Sequence, residues 1–292
     1  MRDIKIIGVA SGWGAQDHGC AKGPEVLRAH GLQAYLQAAG ISVAWDETLF
    51  PVPEKNITHL VSRLCERLAD KVSGMVVNDS LPIVLGGDHS CAIGTWSGVS
   101  IATRQSGPLG LIWIDAHMDS HTPETSPSGA LHGMPLACLL GYGITSLVEL
   151  GGFYPKLLPQ HVCLVGVRSF EAGESELLKQ LGVRIFFMDE VHRRGVSAVM
   201  QDALNIVQNG TAGFGVSIDL DALDPFEDPG VGSPSPDGIM GVELLNALKQ
   251  TKECVNLLGI EIVEYNPDRD QNAATANRAI QLLAAMLPSN SP

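Results

Sequence analysis

"LGLIWIDAHMDSHTP" (109–123) begins as a strand with apolar residues on both faces and ends with Asp115, His117 and Asp119 at alternate positions. A strand apolar on both faces suits a parallel sheet covered by helices on each side. Similar short apolar runs recur at 4–10, 41–45, 82–85, 161–167, 183–188, 213–219 and 257–263, giving eight candidate strands in all. Between them lie amphipathic stretches at 23–40, 57–72, 173–182 and 272–287. This alternation predicts an α/β fold three layers deep, and ligands of such a fold bind at the carboxyl ends of the strands.

The unusual residues of the chain sit at those ends. "LGGDHS" (85–90) carries His89, "SIDLDALDP" (217–225) carries Asp219 and Asp221, and "EIVEYNP" (261–267) carries Glu264. Side chains two apart on an extended chain point the same way, so Asp115, His117 and Asp119 can converge, as can Asp219 and Asp221. Two like charges about 4 Å apart repel by roughly 4 kcal/mol at an effective dielectric near 20, and gathered carboxylates multiply that cost. Taken singly, each of these residues could be a cap, a turn former or a satisfied core histidine. Taken together they need positive charge, and the neighbouring basic residues, Arg104 and Arg168, are too few to supply it. Divalent metal answers the need, and an oxygen and imidazole donor set suits Mn²⁺ better than the thiolate-rich shell of structural zinc. Two such ions sharing a solvent molecule lower its pKa and make it a nucleophile at neutral pH.

The totals narrow the partners. With 292 residues, 45% of them hydrophobic, the chain can bury a large core, and residues 1–292 are expected to form one domain. A net charge of −13 disfavours nucleic acid and anionic membrane, leaving a small molecule or a metal. No secretory h-region and no membrane-length apolar run are present in the sequence. Six scattered cysteines without a CxxC pair read as reduced packing residues of a cytoplasmic protein.

"GGDHS", "DAHMD" and "SIDLDALDP", together with an early "GCAKGPEVLR" (19–28), resemble the signatures of the ureohydrolase family, the arginases and agmatinases, over nearly the whole chain. The resemblance implies an arginase-like three-layer α/β/α sandwich on an eight-stranded parallel sheet. It also implies two Mn²⁺ per chain held by His89, Asp115, His117, Asp119, Asp219 and Asp221. Asp115 and Asp219 would bridge the ions, and Asp119 would also orient the nucleophile. "SGALHG" (128–133) resembles the arginase branch and makes His132 the proton-transfer residue at the pocket mouth, while Glu264 would pair with a substrate guanidinium. His121, Ser128 and Glu171 would meet the far end of the substrate, although this branch usually carries Asn at the positions of His121 and Ala130.

The implied reaction splits a guanidino compound into urea and an amine. L-arginine leads, followed by guanidino acids such as 4-guanidinobutyrate and then agmatine. A single-zinc deacylase of distantly similar fold, which would leave His89 and Asp221 without a metal to bind, and a metal-bound subunit without catalytic activity are the other readings. Family members form trimers or hexamers, so a homo-oligomer is expected.

Overall fold

A computed structural model describes residues 2–289. Its eight strands are β1 (Asp3–Val9), β2 (Ala44–Leu49), β3 (Ser80–Gly86), β4 (Leu109–Ile114), β5 (Leu157–Val167), β6 (Arg184–Phe187), β7 (Gly213–Asp219) and β8 (Leu257–Val263). They form one sheet in the order β2-β1-β3-β8-β7-β4-β5-β6, and every neighbouring pair runs parallel. Helices cover both faces, because β1, β3 and β4 alternate which layer each side chain meets. Ile4, Ile6, Ile83, Ile112 and Ile114 pack with the helices Gly23–Ala29, Leu32–Ala38, Val196–Gln208, Gly241–Leu248 and Ala274–Met286. Ile7, Val9, Val84, Leu111 and Trp113 face the opposite layer, built from Ile57–Val77, Ala92–Thr103, Pro135–Leu139 and Ala172–Leu181.

Two expected elements fall differently. The run 41–45 precedes its strand: Ile41 is buried against the helical layer, and pairing with β1 begins only at Ala44 and continues to Leu49. The stretch 23–40 is two helices, because Gly31 sits at φ 91°, a left-handed conformation that ends one helix and starts the next.

The sheet order matters most for function. Four segments far apart in sequence feed β3, β8, β7 and β4, which are consecutive in the middle of the sheet. Their carboxyl ends therefore open side by side, and the polar residues noted above converge there.

Candidate metal centre and pocket

Asp115 lies just past β4 and is fully buried, with Oδ2 accepting from Trp113 Nε1 at 2.8 Å and Oδ1 from the His117 N–H at 2.6 Å. The carboxylate thereby faces two nests of donors. In the first, His89 Nδ1 stands 3.4 Å from Asp115 Oδ2, 3.0 Å from Asp119 Oδ2 and 3.2 Å from Asp219 Oδ2. In the second, His117 Nδ1 stands 3.5 Å from Asp115 Oδ1 and 3.0 Å from Asp221 Oδ2. Of the two residues expected to bridge, Asp115 meets both nests, whereas Asp219 turns Oδ2 to the first and uses Oδ1 to accept the Asp221 N–H at 2.8 Å. Cis ligands of an octahedral cation bound at about 2.1 Å are separated by about 3 Å. The donor spacing in both nests fits that value.

Hydrogen bonding gives the test of fit. His89 Nε2 is engaged by Ser217 Oγ at 3.0 Å, and the ring stacks on Trp113 with centroids 4.1 Å apart. His89 Nδ1 and Asp119 Oδ2 are both buried without a hydrogen-bond partner. Orphaned buried donors and acceptors are rare because each costs its full desolvation. Two of them aimed at one point mark a cation site. Protons respond to the same crowding: burial, with repulsion from Asp221 and Asp115, pushes Asp219 well above the carboxylate range, and burial with Asp115 lifts Asp119 to about 6. Burial would lower His117, but Asp221 and Asp115 raise it. Metal binding would release those protons. Neither expected basic neighbour neutralises the acids. Arg168 spends its guanidinium on backbone carbonyls, those of Asp221, Ser235 and Pro236 among them, and Arg104 lies 4.4 Å over the Phe153 ring.

Beside the nests, His132 Nδ1 meets Glu264 Oε1 at 3.0 Å. That oxygen also accepts the His89 N–H at 2.9 Å, and Oε2 accepts from the Cys20 thiol at 3.1 Å. Burial alone would lower the His132 pKa, but the hydrogen bond and charge of Glu264 raise it to about 9, so the ring is an imidazolium at neutral pH. Asp88 fixes its position from behind: its carboxylate accepts the Gly14 and Ser90 N–H groups, each at 2.9 Å, and Gly14 O receives the His132 N–H. Both Asp119 (φ 47°) and Glu264 (φ 63°) adopt the left-handed backbone that β-carbon-bearing residues avoid, strain of the kind that collects at functional sites.

A pocket of about 190 Å³ opens over this floor, lined among others by His117, Asp119, His132, Ser128, Ala130 and Ser233. At its rim His121 has both ring nitrogens engaged, Nδ1 with Thr125 Oγ1 at 3.1 Å and Nε2 with Glu171 Oε2 at 3.0 Å. Glu174, not anticipated from the sequence, stands 3.4 Å from the same nitrogen, and burial with Asp119 nearby raises its carboxyl to about 8. Ser128 Oγ accepts the Ala130 N–H at 3.2 Å, and Ala130 offers no side-chain hydrogen bond. Cys20, expected only to pack, instead donates to Glu264, and Asp88, Glu174 and Ser217 were not singled out because the motif residues they serve carry the visible signal. The alternation of Ser217 with Asp219, two apart on β7, was the available clue.

Comparison with known proteins follows the same lines. The Arginase family profile matches residues 2–288. The chain is 38% identical over 296 residues to the arginase of Bacillus caldovelox, with 98% of each covered, and 37% identical over 296 residues to that of Bacillus subtilis (strain 168), again with 98% of each covered. The solved structure of Bacillus caldovelox arginase superposes with a TM-score of 0.93 at 36% identity over 100% of both chains. An Entamoeba histolytica arginase in complex with L-ornithine superposes with a TM-score of 0.89 at 28% identity over 98% of both chains.

Proposed function

This chain belongs to the arginase family of hydrolases, and from that premise we propose that it converts L-arginine to urea and L-ornithine with two Mn²⁺ ions at the centre described above. The observation that carries the reading is the pair of orphaned atoms, His89 Nδ1 and Asp119 Oδ2, inside one of two donor nests joined by Asp115.

His89, Asp115, Asp119 and Asp219 would hold one ion, and His117, Asp221 and Asp115 the other. When bound there, the ions supply a water of lowered pKa and polarise the reacting carbon's substituents. The chain's own groups do the rest. Asp119, whose side chain also lines the pocket, would orient the attacking water. Glu264 has about four acceptor positions, of which the His89 N–H, His132 and Cys20 use three, leaving one to draw in a guanidinium N–H. His132, raised by its bond to Glu264 and engaged there through Nδ1, has Nε2 left to give a proton to the departing amine. Tetrahedral collapse then frees urea and the amine. Ser128 and Glu171 meet the substrate's amino-acid end; His121 acts there through Glu171, since both its nitrogens are engaged.

Urea release from Mn²⁺-loaded protein tests this, offered L-arginine, agmatine and 4-guanidinobutyrate in parallel. L-arginine should react fastest; no urea from any of the three overturns the hydrolase reading of the site. One observation favours a second order of preference. The pocket rim carries Glu171, whose carboxyl the hydrogen bond from His121 holds below its ordinary value, and no Lys or Arg, so a substrate ending in an ammonium is better matched than one ending in a carboxylate alone. Agmatine outrunning 4-guanidinobutyrate would establish that order, and the reverse would overturn it. Bound metal of one zinc per chain would instead favour the deacylase reading, and activity after Mn²⁺ loading excludes a non-catalytic subunit. Residues 1–292 are taken as one domain acting as a cytoplasmic homo-oligomer on a small molecule. Among the described residues no helix is long and apolar enough to cross a membrane.

A further inference from the structure

We propose that Glu261, buried within the sheet behind the metal centre, is a positioning residue that sets the His89 tautomer through Ser217 and so strengthens His89 as a metal ligand. The inference rests on the metal centre proposed above. Glu261 is on β8, is fully buried and points away from the pocket into the core under the helix Ala92–Thr103. Nothing in the reaction needs a carboxylate there, and burying one is costly unless it is hydrogen-bonded and paired. Its donors are arranged around it: Thr95 Oγ1 at 2.5 Å on Oε1, with Trp96 Nε1 at 2.9 Å and Ser217 Oγ at 2.7 Å on Oε2. Burial raises its pKa, and His89, Thr95, Ser217 and Trp96 oppose the rise.

The chain of hydrogen bonds has a direction. The Trp96 indole can only donate, so Oε2 is an acceptor, and Ser217 gives it the hydroxyl proton. Having donated, Ser217 Oγ is left to accept, and the partner at 3.0 Å is His89 Nε2. The His89 ring therefore keeps a proton on Nε2, so the proton an incoming ion displaces is the one that Asp115, Asp119 and Asp219 hold on Nδ1, and the neutral ring left has its lone pair in the nest. That is the one tautomer of neutral imidazole able to bind metal at this point. Reversing the relay, with Ser217 donating to Nε2, would put a proton on Nδ1 and close the nest. The anion also makes the ring a better donor to a cation, as a carboxylate does when it hydrogen-bonds a metal-bound histidine directly.

Glu261→Gln is a narrow test. Its amide nitrogen can turn to Thr95, whose hydroxyl accepts as well as donates, so the oxygen stays beneath Trp96 and Ser217 and the charge is the main loss. Ser217→Ala cuts the relay and leaves Glu261 its bonds to Thr95 and Trp96. Metal-stripped full-length protein is titrated with Mn²⁺ against a fluorescent chelator, with circular dichroism to confirm the fold. Each variant is expected to weaken the ion bound at His89 by about 10-fold or more. The double variant should lose no more than Ser217→Ala alone, because the two residues act in series. Wild-type affinity in both folded single variants, or losses that add in the double, overturns the relay while the metal centre stands. If Glu261→Gln does not fold, Ser217→Ala decides alone, its unchanged affinity overturning the proposal. Wild-type protein that takes up no Mn²⁺ overturns the metal centre and the relay with it.

Discussion

His132 shows how much one contact settles. The bond to Glu264 lifts it to about 9, so its proton is in place at neutral pH, yet its nitrogens belong to neither donor nest. His132→Asn should lower kcat by about 10²- to 10⁴-fold with Mn²⁺ stoichiometry unchanged, a loss of general-acid help and not of metal. Metal analysis beside steady-state kinetics checks both halves. A pH effect follows as well. The folded pKa lies above the ordinary value, so below about 6.5 the pair contributes its full stability, and the contribution fades as pH rises through about 9. The stability difference between metal-free wild type and His132→Asn, read from urea midpoints at pH 6.5 and 9.5, should therefore shrink toward alkaline pH. On the other side of Glu264, the Cys20 thiol is a weak donor to a charged acceptor. Cys20→Val should cost about 10-fold in kcat/KM, at the low end for a hydrogen bond to a charged group, and Cys20→Ser should restore most of it.

At the scale of elements, what could be read from sequence depended on whether a segment has two different faces. β4 and β7 announced themselves by an apolar run closed by acids, and the helix Ile57–Val77 by its stripe of Leu60, Leu64, Leu68 and Val72. The helix Ala92–Thr103 gave no such signal, because "AIGTWSGVSIAT" is small or apolar on every side and nearly all of it is buried. β2 is the converse: its alternation is blurred by Trp45, Asp46 and Glu47 at the sheet edge, so the more apolar 41–45 drew the assignment three residues early. The acids and histidines proposed as metal ligands stood out for the same reason as β4, since carboxylates on a core strand are conspicuous. Groups behind them were not, because a serine or a glutamate inside a strand carries no mark of what it touches. The two helices just named also explain the small residues between them. A Cβ on Gly98 would come within 2.6 Å of Ala69 O and 2.8 Å of Val72 Cβ, so the backbones pack in direct contact there. Gly98→Ala must separate the helices and should cost about 1–3 kcal/mol of unfolding free energy. Gly74, exposed on the helix Ile57–Val77 with nothing within 4 Å of an added Cβ, is the control: Gly74→Ala should stabilise by up to about 1 kcal/mol. Urea unfolding of both variants compares them on one scale.

Across the whole molecule, the sheet order converts four separate acidic tips into a single concentration of charge, and the protein's net charge of −13 adds to it. Folding brings these groups together, so the folded chain binds divalent cations far better than the unfolded one and is stabilised by them. With free Mn²⁺ at about 100 times the dissociation constant, one site adds about 2.7 kcal/mol. For a chain of this size that corresponds to a rise of roughly 4–5 °C in the thermal midpoint. Protons compete for the same oxygens: Asp219, held well above the carboxylate range, takes one before Asp119, whose pKa in the metal-free protein is about 6. Below about pH 6 an ion must displace the Asp119 proton as well, so the gain from Mn²⁺ narrows with falling pH. Scanning calorimetry of stripped and Mn²⁺-loaded protein at pH 7.5 and 5 should give a wide separation of midpoints at the first pH and a narrow one at the second. Coincident midpoints at pH 7.5 would mean that the acids are reconciled by some other charge, and the hydrolytic centre built on them would have to be abandoned.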